Sequence, residues 1–170
     1  GYSFNITSST ATDQKYIQGR NIFENVSFQI DTDWHLGFVG RNGRGKTTFL
    51  RLLLGQYPYQ GKISASVDFA YFPYPVEEPE RTVAEVAERL SPGGETWELE
   101  RELAGLELDG AVLDRPYGSL SHGERTKVLL AILFLGEDRF LLIDEPTNHL
   151  DLHGREVLSR YLRGKRGYLL

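Results

Sequence analysis

The stretch that decides the fold is Gly40-Arg41-Asn42-Gly43-Arg44-Gly45-Lys46-Thr47, which matches the pattern G-x-x-x-x-G-K-[ST] at every position. The apolar run Leu36–Val39 precedes it and predicts a buried strand, while Lys46–Leu54 predicts a helix that stops at Gly55. Glycines let the backbone curl so that several N–H groups point at one anion, and the helix start adds partial positive charge. The stretch therefore predicts a loop that binds the phosphates of a nucleotide.

Each polar residue of this loop has an expected role. Lys46 reaches the β- and γ-phosphates, the Thr47 hydroxyl binds Mg²⁺, and Thr48 meets the α-phosphate. The nucleotide contacts predicted here are Gly40, Arg41, Asn42, Gly43, Arg44, Gly45, Lys46, Thr47 and Thr48.

Two adjacent carboxylates follow a second apolar run, Phe140–Ile143. A buried strand delivers its last residues to the carboxyl edge of the sheet, where phosphate-binding loops also lie. We therefore expect Asp144 to hold Mg²⁺ opposite Thr47, and Glu145 to be the catalytic base that polarises the attacking water. Read alone, the same run is also typical of a strand that ends in a solvated acidic turn.

Strand and helix patterns alternate along the chain and predict an α/β fold with a parallel core. Residues 1–15 are weakly patterned and could not be placed. Residues 73–79 are proline-rich and acidic, which favours a linker. Predicted strands are Val26–Ile30, Leu36–Val39, two within Lys62–Phe72, and Phe140–Ile143; predicted helices are Lys46–Leu54, Thr82–Leu90, Glu95–Leu106, Ser121–Leu135 and 153–163.

Composition narrows the function classes. The 170 residues carry 19 Lys+Arg against 24 Asp+Glu, a net charge of -5, which argues mildly against a broad nucleic-acid-binding surface. One basic cluster, Arg160, Arg163, Lys165 and Arg166, is most simply a solvated helix end. No apolar run approaches the roughly 20 residues of a membrane-spanning helix, and cysteine is absent, so we expect a cytoplasmic protein without membrane insertion.

The segment Leu120-Ser121-His122-Gly123-Glu124 identifies the family. It resembles the signature of the ATP-binding cassette (ABC) ATPases, usually L-S-G-G-Q or L-S-G-G-E, although His122 stands where glycine is usual. The resemblance covers roughly residues 20–170. It implies that this segment contacts, in trans, a nucleotide held by a second cassette. The residues concerned are Leu120, Ser121, His122, Gly123 and Glu124.

A second segment resembles one branch of that family. Asn148, His149, Leu150 and Asp151 follow Glu145-Pro146-Thr147 and are similar to the D-loop of the ABC-F proteins. Those proteins have no transmembrane domains and carry two cassettes per chain; characterised members act on ribosomes, and some protect them from antibiotics. The resemblance therefore implies ATP and Mg²⁺ as cofactors, and a second cassette and the ribosome with its rRNA as partners.

The implied fold is that of a P-loop NTPase: an ABC cassette with a parallel core sheet, a small antiparallel β subdomain and a short helical subdomain. We expect residues 1–170 to form one nucleotide-binding domain, with the helical subdomain at about 76–135. The lack of methionine and an end inside an apparent strand favour a fragment truncated before the family's switch histidine.

Two further aromatic residues have expected positions near the nucleotide. Tyr74 falls where relatives place the Q-loop glutamine, and neutral tyrosine is a poor Mg²⁺ ligand. The adenine is expected to stack on Tyr16, with Phe23 as second candidate; either aromatic is equally typical of a strand in the core.

Two other functions share the chemistry. The resemblance favours the N-terminal cassette of an ABC-F protein that acts in translation on the ribosome. The nucleotide-binding subunit of a membrane transporter is the main alternative. A DNA-maintenance ATPase is disfavoured, because neither zinc ligands nor a heptad arm separate the phosphate loop from the signature.

Overall fold

The computed structural model describes residues 3–12, 21–31, 33–37, 45–57, 59–136 and 139–170. The chain divides into two compact units. The first unit comprises residues 1–71, 138–144 and 166–170, and the second comprises residues 72–137 and 145–165.

The first unit contains an antiparallel sheet of three strands in the order β2-β1-β4. These strands are β1 (Ser3–Thr12), β2 (Asn21–Asp31) and β4 (Tyr59–Ser64). Strand β1 lies in the segment that the sequence left unplaced. Its register against β2 shifts between Thr7 and Thr12, so a regular alternation of apolar and polar residues is not maintained along it.

The second sheet of this unit has four strands in the order β3-β7-β6-β5. They are β3 (His35–Leu36), β5 (Asp68–Phe72), β6 (Arg139–Ile143) and β7 (Tyr168–Leu169). Strand β7 pairs in parallel with both β3 and β6. This confirms the expected parallel core, and it explains the unbroken apolar run of β6, because both faces of an inner parallel strand are covered.

Helix α1 (Lys46–Leu53) packs into the same core. The buried cluster contains Ile30, Phe49, Leu50, Leu53, Phe140, Leu142 and Leu169. The helix ends as predicted, because Gly55 adopts a φ of 71°, which favours glycine and terminates the helix. The core thus fixes the first turn of α1 relative to the end of β6.

The second unit is helical in its described part. It contains α2 (Val83–Leu90), α3 (Thr96–Gly105), α4 (His122–Phe134) and α5 (Leu152–Arg163), with short 3-10 turns at Gly110–Asp114 and Tyr117–Ser119. Thr82 and Ser121 begin α2 and α4 with capping boxes, in which the side chain three positions later returns a hydrogen bond. Each helix starts within one or two residues of its predicted start because these caps are local sequence signals.

A buried polar network ties α3 to the end of α5. The Glu102 side chain is only 8% exposed and accepts hydrogen bonds from the Lys165 amine and from the Tyr161 hydroxyl, the latter at 2.6 Å. Burial and this hydrogen bond raise the pKa of Tyr161 above its usual range. Lys165 therefore differs from the expected solvated helix end, because its charge is used to compensate a buried carboxylate.

Replacing Lys165 by Ala should lower the free energy of unfolding by about 2 kcal/mol, because the buried Glu102 carboxylate then loses a charged donor. Urea denaturation measures the change. Arg101→Ala is the matched control: Arg101 lies 3.7 Å from the other oxygen of Glu102 but its side chain is 63% exposed, so its loss should cost less than about 1 kcal/mol. Equal losses in the two variants would contradict a buried pair that depends on Lys165.

Candidate nucleotide-binding site

A hydrogen bond joins the two predicted metal ligands. The Thr47 hydroxyl in the first turn of α1 donates to Asp144 Oδ2 at 2.7 Å, although the two residues are 97 positions apart in the sequence. Asp144 directly follows β6, and α1 packs on the same core. The fold of the first unit therefore brings Thr47 and Asp144 together.

Tyr71 is a third member of this cluster, and the sequence analysis missed it. Its hydroxyl donates to the same Asp144 oxygen at 2.8 Å. Burial, followed by this hydrogen bond, raises the pKa of Tyr71 to about 12, so the hydroxyl stays protonated at neutral pH. The available signal was positional: Tyr71 lies near the end of β5, the neighbour of β6 in the sheet.

The start of α1 has the features of an anion site. Gly45 precedes the helix with a φ of 92°. The first backbone N–H groups of an α-helix have no partner within the helix, so they can donate to an anion. Lys46 is half-buried at the first helical position, and Thr48 follows one residue after Thr47. A side chain at position 45 would strain the backbone, which explains why the pattern requires glycine there.

Several predicted contacts lie outside the described residues. These are Gly40, Arg41, Asn42, Gly43 and Arg44 of the loop, and Tyr16, the candidate for stacking on adenine. Phe23 belongs to β2. Tyr74 is 43% exposed after β5, and it is Tyr71 in that strand, three residues earlier, that contacts Asp144.

Glu145 lies in the second unit with an unusual backbone. Its φ is 47°, a left-handed conformation that is uncommon for residues other than glycine and often marks functional positions. Its exposed carboxylate accepts a hydrogen bond from the Asn148 side chain, Oε2 to Nδ2, at 2.9 Å. Asn148, predicted only as part of the D-loop, thus orients the predicted base.

The signature and the D-loop meet in the second unit. The rings of His122 and His149, both exposed, stack with centroids 5.0 Å apart. A Cβ built on Gly123 would lie 3.3 Å from the backbone oxygen of His149, so the two backbones approach closely. Two of the predicted segments, Leu120–Glu124 and Asn148–Asp151, therefore share one surface.

Two signature residues, Ser121 and Glu124, form the cap of α4. The Glu124 N–H donates to Ser121 Oγ at 3.1 Å, and the Ser121 N–H donates to Glu124 Oε1 at 3.0 Å. The bond from the Ser121 N–H, aided by Arg115, lowers the pKa of Glu124. Leu120 and Leu150 are buried, whereas Ser121 is exposed. Asp151 caps α5 by accepting from the Gly154 N–H.

The donor set suits Mg²⁺. A hydroxyl and a carboxylate supply hard oxygen ligands, and Mg²⁺ bound with a nucleotide typically takes only one or two protein oxygens beside phosphate and water. No cluster of three or more His, Cys, Asp or Glu side chains occurs in the described part of the chain. The residues present therefore fit a metal shared with phosphates better than one held by protein alone.

Across the described ranges, no helix combines the length and the apolar character that a bilayer crossing requires.

Known proteins resemble this chain over most of its length. The ribosome protection protein VmlR of Bacillus subtilis is 32% identical across 98% of this chain and 33% of its own length. ATP-binding cassette sub-family F member 3 of Homo sapiens is 36% identical across 86% of this chain and 21% of its own length. The chain thus spans a third or less of these curated relatives.

Solved structures share the fold. A bacterial Atm1-family ABC exporter with ATP bound superimposes with a TM-score of 0.77 at 20% identity, covering 99% of this chain and 34% of the exporter chain. An ATP-binding protein from Pyrococcus furiosus, assigned to ABC transporters, gives a TM-score of 0.79 at 20% identity, covering 98% of this chain and 90% of that chain.

The family model described as ABC transporter matches residues 23–148. That range includes the start of α1, the Thr47–Asp144 contact, the signature and the first residue of the D-loop. The chain therefore belongs to the ABC transporter family of ATP-binding domains, a family that hydrolyses ATP.

Proposed function

We propose that this chain is a cassette of an ABC-F protein, which binds Mg-ATP and, when paired with a second cassette, hydrolyses it to drive a conformational switch on the ribosome. The observation that carries the nucleotide chemistry is the 2.7 Å hydrogen bond between Thr47 and Asp144. It joins the first turn of α1, where phosphates are expected, to the carboxylate expected to hold the metal.

Phosphate binding is assigned to residues 40–48. The first turn of α1 supplies backbone N–H groups that have no partner within the helix, and the Lys46 amine supplies a full positive charge beside them. Thr47 and Asp144 would hold Mg²⁺, which neutralises charge on the β- and γ-phosphates. Tyr71 keeps the Asp144 carboxylate oriented by its own hydrogen bond.

The catalytic base is assigned to Glu145. Its left-handed backbone and the Asn148 hydrogen bond hold the carboxylate in one place. A carboxylate with a fixed orientation can accept the proton of a water that attacks the γ-phosphate. Asn148 is then a positioning residue, since it acts through Glu145.

A second cassette is the expected partner, and we place it in the same full-length protein, since ABC-F proteins carry two cassettes per chain. The shared surface of signature and D-loop supports this pairing. Ser121, His122 and His149 are exposed there, and the neighbouring Leu152 side chain is 75% exposed. One exposed surface thus carries side chains of both segments, which leaves them available to a partner cassette.

The ribosomal role rests on the relatives. One relative is named a ribosome protection protein and another a sub-family F member, and Asn148–Asp151 resembles the ABC-F D-loop. We accordingly propose action in the cytoplasm on the ribosome and its rRNA, with antibiotic resistance as one form of it.

A transporter subunit is the second candidate, favoured by the fold shared with an ABC exporter. The span 1–170 as one cassette, with a helical subdomain at about 76–135, is part of this proposal.

Lys46→Ala should lower ATP affinity at least about tenfold, on the order of 1.4 kcal/mol, because the charge facing two phosphates is removed. Titration with a fluorescent ATP analogue measures it. Arg101→Ala is the matched control, since it removes an exposed cation from α3 and should leave affinity nearly unchanged. Unaltered binding by Lys46→Ala would rule out the phosphate-loop assignment.

Asn148→Ala should slow ATP turnover by the full-length protein about tenfold, on the order of 1.4 kcal/mol, because Glu145 loses the donor that orients it. ATP affinity should not change. Glu145→Gln is the reference: it keeps the side-chain shape but cannot accept the proton, so turnover should disappear while binding remains. Parental turnover in Glu145→Gln would show that another group is the base.

The 170-residue chain alone should hydrolyse ATP negligibly at low concentration, because a complete site needs the signature of a second cassette. The rate per molecule should rise with protein concentration as ATP promotes pairing, and removing Mg²⁺ with EDTA should abolish it. Steady-state phosphate release measures both. A brisk rate per molecule that is independent of concentration would mean that one chain suffices.

A further inference from the structure

Helix α5 presents a basic stripe that the proposed ATP chemistry does not use. Its buried side consists of Gly154, Val157, Leu158, Tyr161 and Leu162. The opposite side exposes Arg155, Glu156, Ser159, Arg160 and Arg163, which line a shallow, open depression of about 420 Å³. The three arginines define what we call the α5 basic stripe.

Two of these arginines are anchored in the same way. Arg155 Nε donates to the backbone oxygen of Leu150 at 3.2 Å, and Arg163 Nε donates to the backbone oxygen of Ser159 at 3.3 Å. Each bond restrains the guanidinium and leaves its two terminal amino groups for another acceptor. A restrained guanidinium loses less entropy when it binds an oxyanion, and its planar donors match phosphate oxygens.

The helix dipole does not account for the whole stripe. Arg160 and Arg163 lie in the last turn of α5, where cations are favourable. Arg155 lies near the start of the helix, where the partial charge is positive and a cation is unfavourable. A role outside the helix explains its position better than helix stability does.

Nearby acidic groups leave an excess of positive charge. Arg160 lies 3.7 Å from Glu107, and His153 Nε2 contacts the same carboxylate at 2.6 Å. Those neighbours, His153 first and then Arg160 and Lys127, lower the pKa of Glu107. Glu156 is the other carboxylate in the depression. Arg155 and Arg163 remain without a carboxylate partner among the described residues.

We propose that the α5 basic stripe binds the phosphate backbone of structured RNA, with Arg155 and Arg163 as the two phosphate contacts. The two residues lie about 12 Å apart along the helix axis, so they can engage separate phosphates of one strand. This proposal rests on the proposed ribosomal function and names the surface that meets RNA.

The chemistry of the stripe favours this occupant over others. None of its exposed residues is aromatic, so it offers no platform on which single-stranded bases could stack. Arginine forks with a serine hydroxyl between them recognise backbone phosphates without reading bases. The chain as a whole has a net charge of -5, and three exposed arginines on one helix face create a local positive potential that attracts a polyanion to that surface.

The test is binding of a fluorescein-labelled RNA hairpin to the full-length protein, followed by anisotropy from low to physiological salt. Arg155→Gln/Arg163→Gln should weaken binding at least about tenfold at low salt and reduce the slope of log affinity against log salt by about 1.5. Arg155→Lys/Arg163→Lys should keep the slope and lose part of the affinity, because charge is retained without the fork. Circular dichroism checks that each variant is folded.

Arg89→Gln/Arg101→Gln is the matched control, because it removes the same charge from exposed positions on α2 and α3. Equal weakening by both pairs would overturn the proposal, as would unchanged RNA binding by the stripe variant. Tighter binding of acidic phospholipid vesicles than of RNA would also overturn it. Co-sedimentation with ribosomes distinguishes the ribosomal function from the role of the α5 basic stripe. If the unmodified protein does not co-sediment, the ribosomal function is refuted. If the stripe variant co-sediments as well as the unmodified protein does, only the role of the stripe is refuted.

Discussion

The hydrogen bond from Thr47 to Asp144 depends on packing that is remote from both side chains. Phe49 and Leu50 of α1 and Phe140 and Leu142 of β6 lie in one buried cluster. Burial of these residues sets the distance between the helix start and the strand end, and the polar atoms meet at 2.7 Å as a result. Apolar burial supplies most of the free energy of folding, so here the core places the polar site.

Adjacent carboxylates of like charge are held by different donors. Asp144 receives hydrogen bonds from Thr47 and Tyr71, whereas Glu145 receives one from Asn148. Glu145 has a left-handed φ of 47°, so the extended backbone of β6 does not continue through it. Neighbouring residues with separate partners can therefore take separate roles, one toward a metal and the other toward a water.

Local signals explain what the sequence predicted well. The glycine-rich loop, the capping residues Thr82 and Ser121, and the apolar run of β6 each act through neighbours in the chain, so α1, α2, α4 and β6 were found near their observed bounds. Non-local contacts explain what was missed. Strand β1 forms only by pairing with β2 and β4. The role of Tyr71 depends on the order of the strands in the sheet, and that of Lys165 depends on its contact with Glu102 in α3. None of these partners is visible in a window of adjacent residues.

The capping box of α4 has a consequence for how its first turn can meet an anion. The Ser121 hydroxyl accepts from the Glu124 N–H, so its lone pair is engaged within the helix while its proton is left to point outward. Both partners of the cap are restrained by their mutual hydrogen bonds. An incoming oxyanion would therefore meet a hydroxyl that is already oriented, so less conformational entropy is lost on binding and the contact is stronger for it.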